Sequence, residues 1–371
     1  MERSWILNEF ICKELFAPFV IDKDCEYLDS LAQKYNLVIS QAQKAGADKE
    51  SMRILHKYKN DILQSLSYYY HADIEKSNRI IRKLIKDLQA CPFAVNELVN
   101  SDAFGGMKGT EIQLFRCRIG NFANAYNAKD MLHLPKSLRA KSGNYRFSIP
   151  GNPSIYMSNS SYGCWIEMGC PAENEFNVSP VLLDGTQRIL NLAVSIRDIH
   201  ALKRNEDRIH CWLKLLMLMI ATSYRVKEEG RIFKSEYIVS QSIMMACKKL
   251  KYDGVAYYSK RVNDEIFAFC AINLALFVNY EGEYSDIIRH MKIDNAFNYG
   301  IYKQLCNSLT CKEYDLRSIK TGFITNIGNY ERQYPYVETK FFEFDKFLFT
   351  SWRDKPRGKG KDQIPWGVTV E

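Results

Sequence analysis

The stretch from Leu138 to Gly169, LRAKSGNYRFSIPGNPSIYMSNSSYGCWIEMG, places an arginine, a tyrosine and a glutamate around one turn. Pro150-Gly151-Asn152-Pro153 forces that turn, because proline fixes φ and removes a donor while glycine permits positive φ. Arg146 precedes the turn in Tyr145-Arg146-Phe147, and Tyr156 follows it in Ser154-Ile155-Tyr156-Met157, which reads as a short strand. Ser158-Asn159-Ser160-Ser161 then offers N-cap residues for a helix carrying Trp165, Ile166 and Met168 on its apolar side. Glu167 stands among those apolar residues. A carboxylate there must face solvent, find a partner or belong to a pocket, because unpaired burial is costly.

Other chemistries lack their residues. The six histidines, His56, His71, His133, His200, His210 and His290, show no HExxH or other zinc spacing, so no metal centre is expected. Neither a GxSxG elbow nor a dinucleotide GxGxxG is present. The glycine-rich Ser101–Thr110, SDAFGGMKGT, lacks the phosphate-loop spacing and reads as a linker. Eleven cysteines without a CxxC pair suggest reduced, mostly buried thiols of a cytoplasmic protein. The net charge of +8 suits an anionic ligand, a nucleic acid, or solubility alone. The N-terminus makes a poor signal peptide, and the longest apolar run, Cys211 to Thr222, is interrupted by Lys214 and too short to span a bilayer, so no membrane partner is expected.

A chain of 371 residues, 46% hydrophobic, can bury a sizeable core in one large domain or two. From Cys25 to about Gln89 apolar residues recur at helical spacing, as in Ile54, Tyr58, Ile62 and Leu66, with breaks at Gly46-Ala47-Asp48 and His71-Ala72-Asp73. Pro92 halts this bundle-like region. Strands are then expected at Ile112–Arg118, Val181–Leu183, Arg188–Leu192, Val255–Tyr258 and Ala271–Val278, with helices near Asp207–Tyr224 and Ser235–Lys249. Lys340–Phe344 reads as a further strand, and Arg353–Lys361, RDKPRGKGK, as a solvated basic tail. The domains expected are 1–105, helical; 106–285, mixed; and 286–371, a strand-rich extension with the basic tail.

Four segments, in order, resemble the RES domain, a family named for arginine, glutamate and serine and found in NAD-consuming bacterial toxins. LFRCRI, with Arg116, resembles its opening strand. YRFSIPGNPSIYMSNSSYGCWIEMG supplies Arg146, Gly151, Tyr156 and Glu167 at matching intervals. EYIVSQ, with Glu236, Tyr237 and Gln241, opens a helix, and YDGVAYYSKR followed by NLALF resembles the closing strands, with Ser259 in the serine position. The resemblance covers roughly Gln113 to Val278. It implies an α+β fold: a mixed, ADP-ribosyltransferase-like RES core with an N-terminal helical accessory domain. It does not account for the chain beyond about Asn279.

The resemblance also implies a chemistry. NAD is the substrate and no cofactor is called for. Arg116 and Arg146 would clamp the pyrophosphate bidentately, and Tyr156, with Tyr126 as a weaker candidate, would stack on nicotinamide or adenine. Cleavage of the nicotinamide–ribose bond passes through an oxocarbenium-like transition state, whose positive charge Glu167 would stabilise. Ser259 would hydrogen-bond a ribose hydroxyl or phosphate. Glu167, Arg116 and Ser259 are thus the catalytic candidates. The acceptor would be water or inorganic phosphate, giving an NAD glycohydrolase or phosphorylase acting as a toxin or antiphage defence effector. Such a toxin needs an antitoxin or regulatory partner, or an oligomeric gate. The rivals are a protein mono-ADP-ribosyltransferase and a non-catalytic module binding nucleic acid or protein, the latter betrayed by strongly salt-sensitive binding. Each site residue taken singly has an ordinary structural explanation; their joint order and spacing favours the enzyme.

Overall fold

The computed structural model describes residues 17–22, 25–101, 103–104, 111–121, 123, 126–127 and onward to 194, 205–227, 230–262, 271–305, 336 and 339–352. In chain order the elements begin with strand β1 (Phe19–Ile21), helices α1 (Tyr27–Lys44), α2 (Lys49–Tyr70) and α3 (Ile74–Asp87), and strands β2 (Val95–Glu97), β3 (Ile112–Ile119) and β4 (Ser154–Ser158). They continue with helix α4 (Ser161–Glu167), strands β5 (Phe176–Leu183) and β6 (Arg188–Asn191), helix α5 (Glu206–Thr222), strand β7 (Tyr224–Val226) and helix α6 (Ile238–Lys249). Strands β8 (Gly254–Tyr258), β9 (Ile272–Phe277), β10 (Met291–Ile293) and β11 (Phe297–Asn298) and helices α7 (Tyr299–Leu305) and α8 (Lys340–Phe347) follow. The fold is α+β, as the sequence indicates. No described helix is long and apolar enough to cross a membrane.

Compactness divides the chain into two units, each discontinuous in sequence: residues 1–97, 144–149 and 187–260 form one, and residues 98–143, 150–186 and 261–371 the other. This differs from the contiguous division 1–105, 106–285 and 286–371.

In the first unit the helical periodicity buries Ile54, Tyr58, Ile62 and Leu66 along α2. Asp48 and Asp73 cap α2 and α3 by accepting from Ser51 N and Lys76 N, so the expected breaks are helix starts. Buried tyrosines tie the bundle together: Tyr27 donates to Ala221 O at 2.6 Å and Tyr35 to Met217 O at 2.8 Å, both carbonyls near the C-terminal end of α5. Strand β6 pairs antiparallel with β2 and parallel with β8, and β1 pairs parallel with β7.

The second unit is built on strands ordered β10-β5-β3-β4-β9, with β11 also on β5. β3 and β5 run antiparallel from Ile112 opposite Leu183 to Ile119 opposite Phe176. Every residue of β5 is buried, as befits an interior strand covered on both faces. Phe115, Trp165, Phe176, Tyr299, Phe341, Phe344 and Leu348 form one core cluster that joins the sheet to α4, α7 and α8.

Two expectations are corrected. Lys340–Phe344 lies in helix α8 rather than a strand: its phenylalanines mimic alternation, but Phe341, Phe344 and Leu348 recur at helical spacing on one buried face, and Thr339 caps the helix by accepting from Phe342 N at 3.2 Å. Among the cysteines, Cys91 and Cys211 form a disulfide, with Cα atoms 5.5 Å apart, in the usual range for a bridged pair. They lie 120 residues apart, a pairing that sequence spacing cannot reveal. Cys25, Cys117, Cys164, Cys170 and Cys247 are free thiols. The basic segment Arg353–Lys361 and most of the glycine-rich Ser101–Thr110 lie outside the described residues.

Candidate functional site

Four of the sequence-derived residues, Arg116, Tyr126, Tyr156 and Glu167, belong to the second unit; Arg146 and Ser259 belong to the first. In the second unit Glu167 is the last residue of α4. Ser160 starts that helix, its Oγ accepting from Gly163 N at 2.9 Å. Gly169, at φ +82°, permits the left-handed turn that stops it, and Cys170 N closes onto Trp165 O at 2.9 Å. The helix face carrying Tyr162, Trp165 and Ile166 is buried, whereas Met168 is exposed. Glu167 is half-buried at the edge of that face.

Its Oε1 accepts a hydrogen bond from Asn273 Nδ2 at 2.7 Å. Asn273 is buried in β9, opposite Ser158 of β4. The turn between β4 and α4 is fixed to the same strand, because Asn159 N donates to Ile272 O at 3.0 Å and Asn159 Oδ1 accepts from Ile272 N at 3.1 Å. The carboxylate is therefore oriented from β9 through one oxygen.

Arg116 and Tyr156 are brought together. The Arg116 guanidinium donates from Nη1 to Tyr156 O at 2.9 Å, from Nε to Met131 O at 2.5 Å and from Nη2 to Leu132 O at 3.3 Å. Burial, reinforced by the nearby Arg118 charge, pulls its pKa down to about 10, so it remains protonated at neutral pH. The phosphate clamp expected of Arg116 meets a guanidinium already engaged by three main-chain carbonyls. Tyr156 sits half-buried in the middle of β4, opposite Ala275 of β9. Tyr126 lies against Gly120 at the end of β3, where its hydroxyl donates to Ile119 O at 3.4 Å. Among the described residues no hydrogen bond joins Tyr126 to Arg116, Tyr156 or Glu167.

In the first unit Arg146 is only 7% exposed. Its Nη1 donates to Tyr258 O at 3.1 Å, and its guanidinium lies 4.6 Å from the centre of the Tyr257 ring and 5.4 Å from that of Phe147. Ser259, buried, directly follows Tyr258, so Arg146 and Ser259 meet at the end of β8. Gln241 of α6 holds the segment that carries Arg146: its Nε2 lies within hydrogen-bond distance of Asn144 Oδ1 at 2.5 Å and of Tyr145 O and Ser148 O, each at 3.1 Å. Beside them Glu236 is buried, with its Oε1 4.0 Å from Lys260 Nζ, which also donates to Tyr224 O at 2.8 Å.

Nothing in the sequence marks Asn273 as the partner of Glu167 or gives Gln241 a task, although both stand in segments that carry the family resemblance. An amide side chain has no signature of its own; what marks these two is the segment in which they sit. Among the described residues no group of three His, Cys, Asp or Glu side chains is placed to hold a metal ion.

Comparison with known proteins places these residues in a family. The model of the RES domain matches residues 114–295, which include Arg116, Arg146, Tyr156, Glu167, Gln241, Ser259 and Asn273. A Bacillus subtilis (strain 168) protein named "Putative toxin YopC" is 30% identical over 181 residues, 45% of this chain. The chain spans 40% of the length of that relative. The solved M. tuberculosis MbcT-MbcA toxin-antitoxin complex contains a chain that aligns with 62% of this one and 97% of its own length, at 14% identity and a TM-score of 0.32. Residues 114–295 are thus what this chain shares with the RES domain family.

Proposed function

We propose that this protein is an NAD-cleaving enzyme that breaks the nicotinamide–ribose N-glycosidic bond, with water or inorganic phosphate as acceptor, and acts as a toxin or defence effector restrained by an antitoxin. The observation that carries the reading is the Glu167 carboxylate, half-buried within the RES-matched segment, with one oxygen fixed by Asn273. A preorganised carboxylate of this kind stabilises positive charge developing on the ribose C1. Nicotinamide carries a positive charge in NAD and leaves as a neutral base, so the reaction needs no protein nucleophile. Arg146 is the candidate for the pyrophosphate, since arginine matches phosphate oxygens bidentately. Arg116 is assigned to holding β4, and with it Tyr156, which would stack on a ring of the dinucleotide. Ser259 would bind a ribose hydroxyl or a phosphate oxygen, and Tyr126 has the weakest claim to a contact.

The test is incubation of the purified chain with NAD, with and without phosphate, following nicotinamide release and product mass beside Glu167→Gln. The expected outcome is NAD loss by the wild type, reduced at least about 100-fold by the substitution. ADP-ribose would name water as acceptor, and ADP-ribose 1-phosphate would name phosphate. ADP-ribose retained on a protein would turn the reading to a transferase, and intact NAD with the partner-free wild type would overturn it.

A further inference from the structure

The segment beyond residue 295 lies outside the family match, yet it reaches the helix that carries Glu167. Asp345, on α8 and 8% exposed, accepts the Ser161 N–H at 3.0 Å through Oδ1 and the Tyr336 hydroxyl at 2.5 Å through Oδ2. Ser161 is the first residue of α4. The opening amides of a helix have no intrahelical acceptor, and here two side chains supply one: Ser160 for Gly163 and Asp345 for Ser161. Ser161 Oγ also donates to Phe341 O at 3.4 Å. Phe341 packs 5.6 Å from Trp165 and 5.7 Å from Tyr162, ring centre to ring centre, and stacks on Tyr299 at 4.7 Å.

Helix α4 is thus held at both ends, by Asp345 at its first residue and by Asn273 at its last. It is a single stiff span of about 10 Å at 1.5 Å per residue, so a shift at one end is carried to the other. Apolar packing alone would place another phenylalanine or leucine at position 345. A buried carboxyl group there instead supplies partners for the Ser161 amide and the Tyr336 hydroxyl. We infer that Asp345 is a positioning residue, fixing α4 through the Ser161 N–H and thereby the place of the Glu167 carboxylate, so that Tyr336 and residues 339–348 are a working part of the catalytic unit. The inference rests on the reading of Glu167 as the catalytic carboxylate.

The experiment uses the full chain as wild type, Asp345→Ala and Asp345→Asn, with NAD turnover, thermal unfolding and amide exchange at Ser161 and Gly163 measured together. Asparagine keeps the acceptor for Ser161 N–H and offers an N–H to the Tyr336 oxygen; alanine keeps neither. Alanine is expected to lower kcat about 10- to 100-fold with little change in KM, well below its unfolding temperature, as small misplacements of a catalytic group do. It should also speed exchange at Ser161, and asparagine should restore most of both properties. Wild-type kcat and exchange in the alanine variant, or a kcat loss matched entirely by its unfolded fraction, overturns the inference. Should the wild type leave NAD intact, the proposed function falls and exchange alone decides the positioning: protection lost with alanine and kept with asparagine sustains it, and unchanged protection overturns it.

Discussion

At Glu167 the reactive geometry depends on a neighbour that does no chemistry. The Asn273 carboxamide donates to one carboxylate oxygen and is itself buried, so its removal leaves Glu167 free to leave its place. Asn273→Ala is expected to lower kcat about 10- to 100-fold and to cost about 1–3 kcal/mol of stability through the lost buried hydrogen bond. Turnover and a denaturation curve on the same sample check both, and unchanged kcat would reduce Asn273 to a purely structural residue. Arg116 gives a second prediction. Its planar fork reaches three carbonyls, on Met131, Leu132 and Tyr156; a lysine ammonium is a point charge that cannot span them. Arg116→Lys should therefore destabilise the chain by about 2–4 kcal/mol, in line with charged buried hydrogen bonds left unmade, read as a lower denaturant midpoint. At this scale Arg116, Arg146, Tyr156 and Glu167 stand out in the sequence as candidates because their order and spacing resemble the family's. Their amide partners do not, because a contact such as Asn273 to Glu167, 106 residues apart, exists only once the strands have paired.

Among the elements, legibility followed local physics. Helices α1 to α3, the start of α4 at Ser160 and strands β3, β4, β8 and β9 lie where capping residues and periodicity put them, since those signals are contained in a few neighbouring residues. Lys340–Phe344 reads as a strand in sequence because a short aromatic-rich run fits both periods, and the burial of Phe341 against Trp165 and Tyr299 decides for the helix. The docking of α8 on α4 has a pH dependence. Burial pushes Asp345 up to about 7, against the pull of its bonds to Ser161 and Tyr336, and the neighbouring Cys164 thiol is itself raised by burial. Between the ordinary carboxyl pKa of 3.8 and about 7 the folded protein holds a proton on Asp345 that the unfolded chain has lost. Stability from this group is therefore full below 3.8 and falls as pH rises through 7. The size is on the order of a few kcal/mol, at about 1.4 kcal/mol per pKa unit. Asp345→Asn removes the titrating group, so the difference in unfolding free energy between the variant and the wild type should grow in the variant's favour from pH 5 to pH 8 (about the window set by that linkage). A difference that stays flat across the window would show that Asp345 ionises at its ordinary pKa.

At the scale of the molecule, each compact unit is assembled from three stretches of chain, so a linear division of the sequence has no local cue to find them. Residues 144–149, which carry Arg146, fold with the helical unit through Gln241, although their flanks belong to the other. The Cys91–Cys211 bond makes a long connection of the same kind, joining the end of the N-terminal helices to α5 across 120 residues within one unit. A cross-link over such a loop restricts the unfolded chain, and a native bond of this type contributes about 2–4 kcal/mol. A chain with two units need not unfold in one step, so the effect should be confined to the transition of the helical unit. Reductant, or the paired change Cys91→Ser with Cys211→Ser, should lower the midpoint of the far-ultraviolet helical signal while leaving a later transition in place. The paired variant should no longer respond to reductant, which separates loss of the bond from reduction of any other thiol. Thiol labelling of the unfolded, unreduced protein provides the direct check: Cys91 and Cys211 protected together support the link, and both labelled would remove it and restore the all-thiol expectation drawn from sequence.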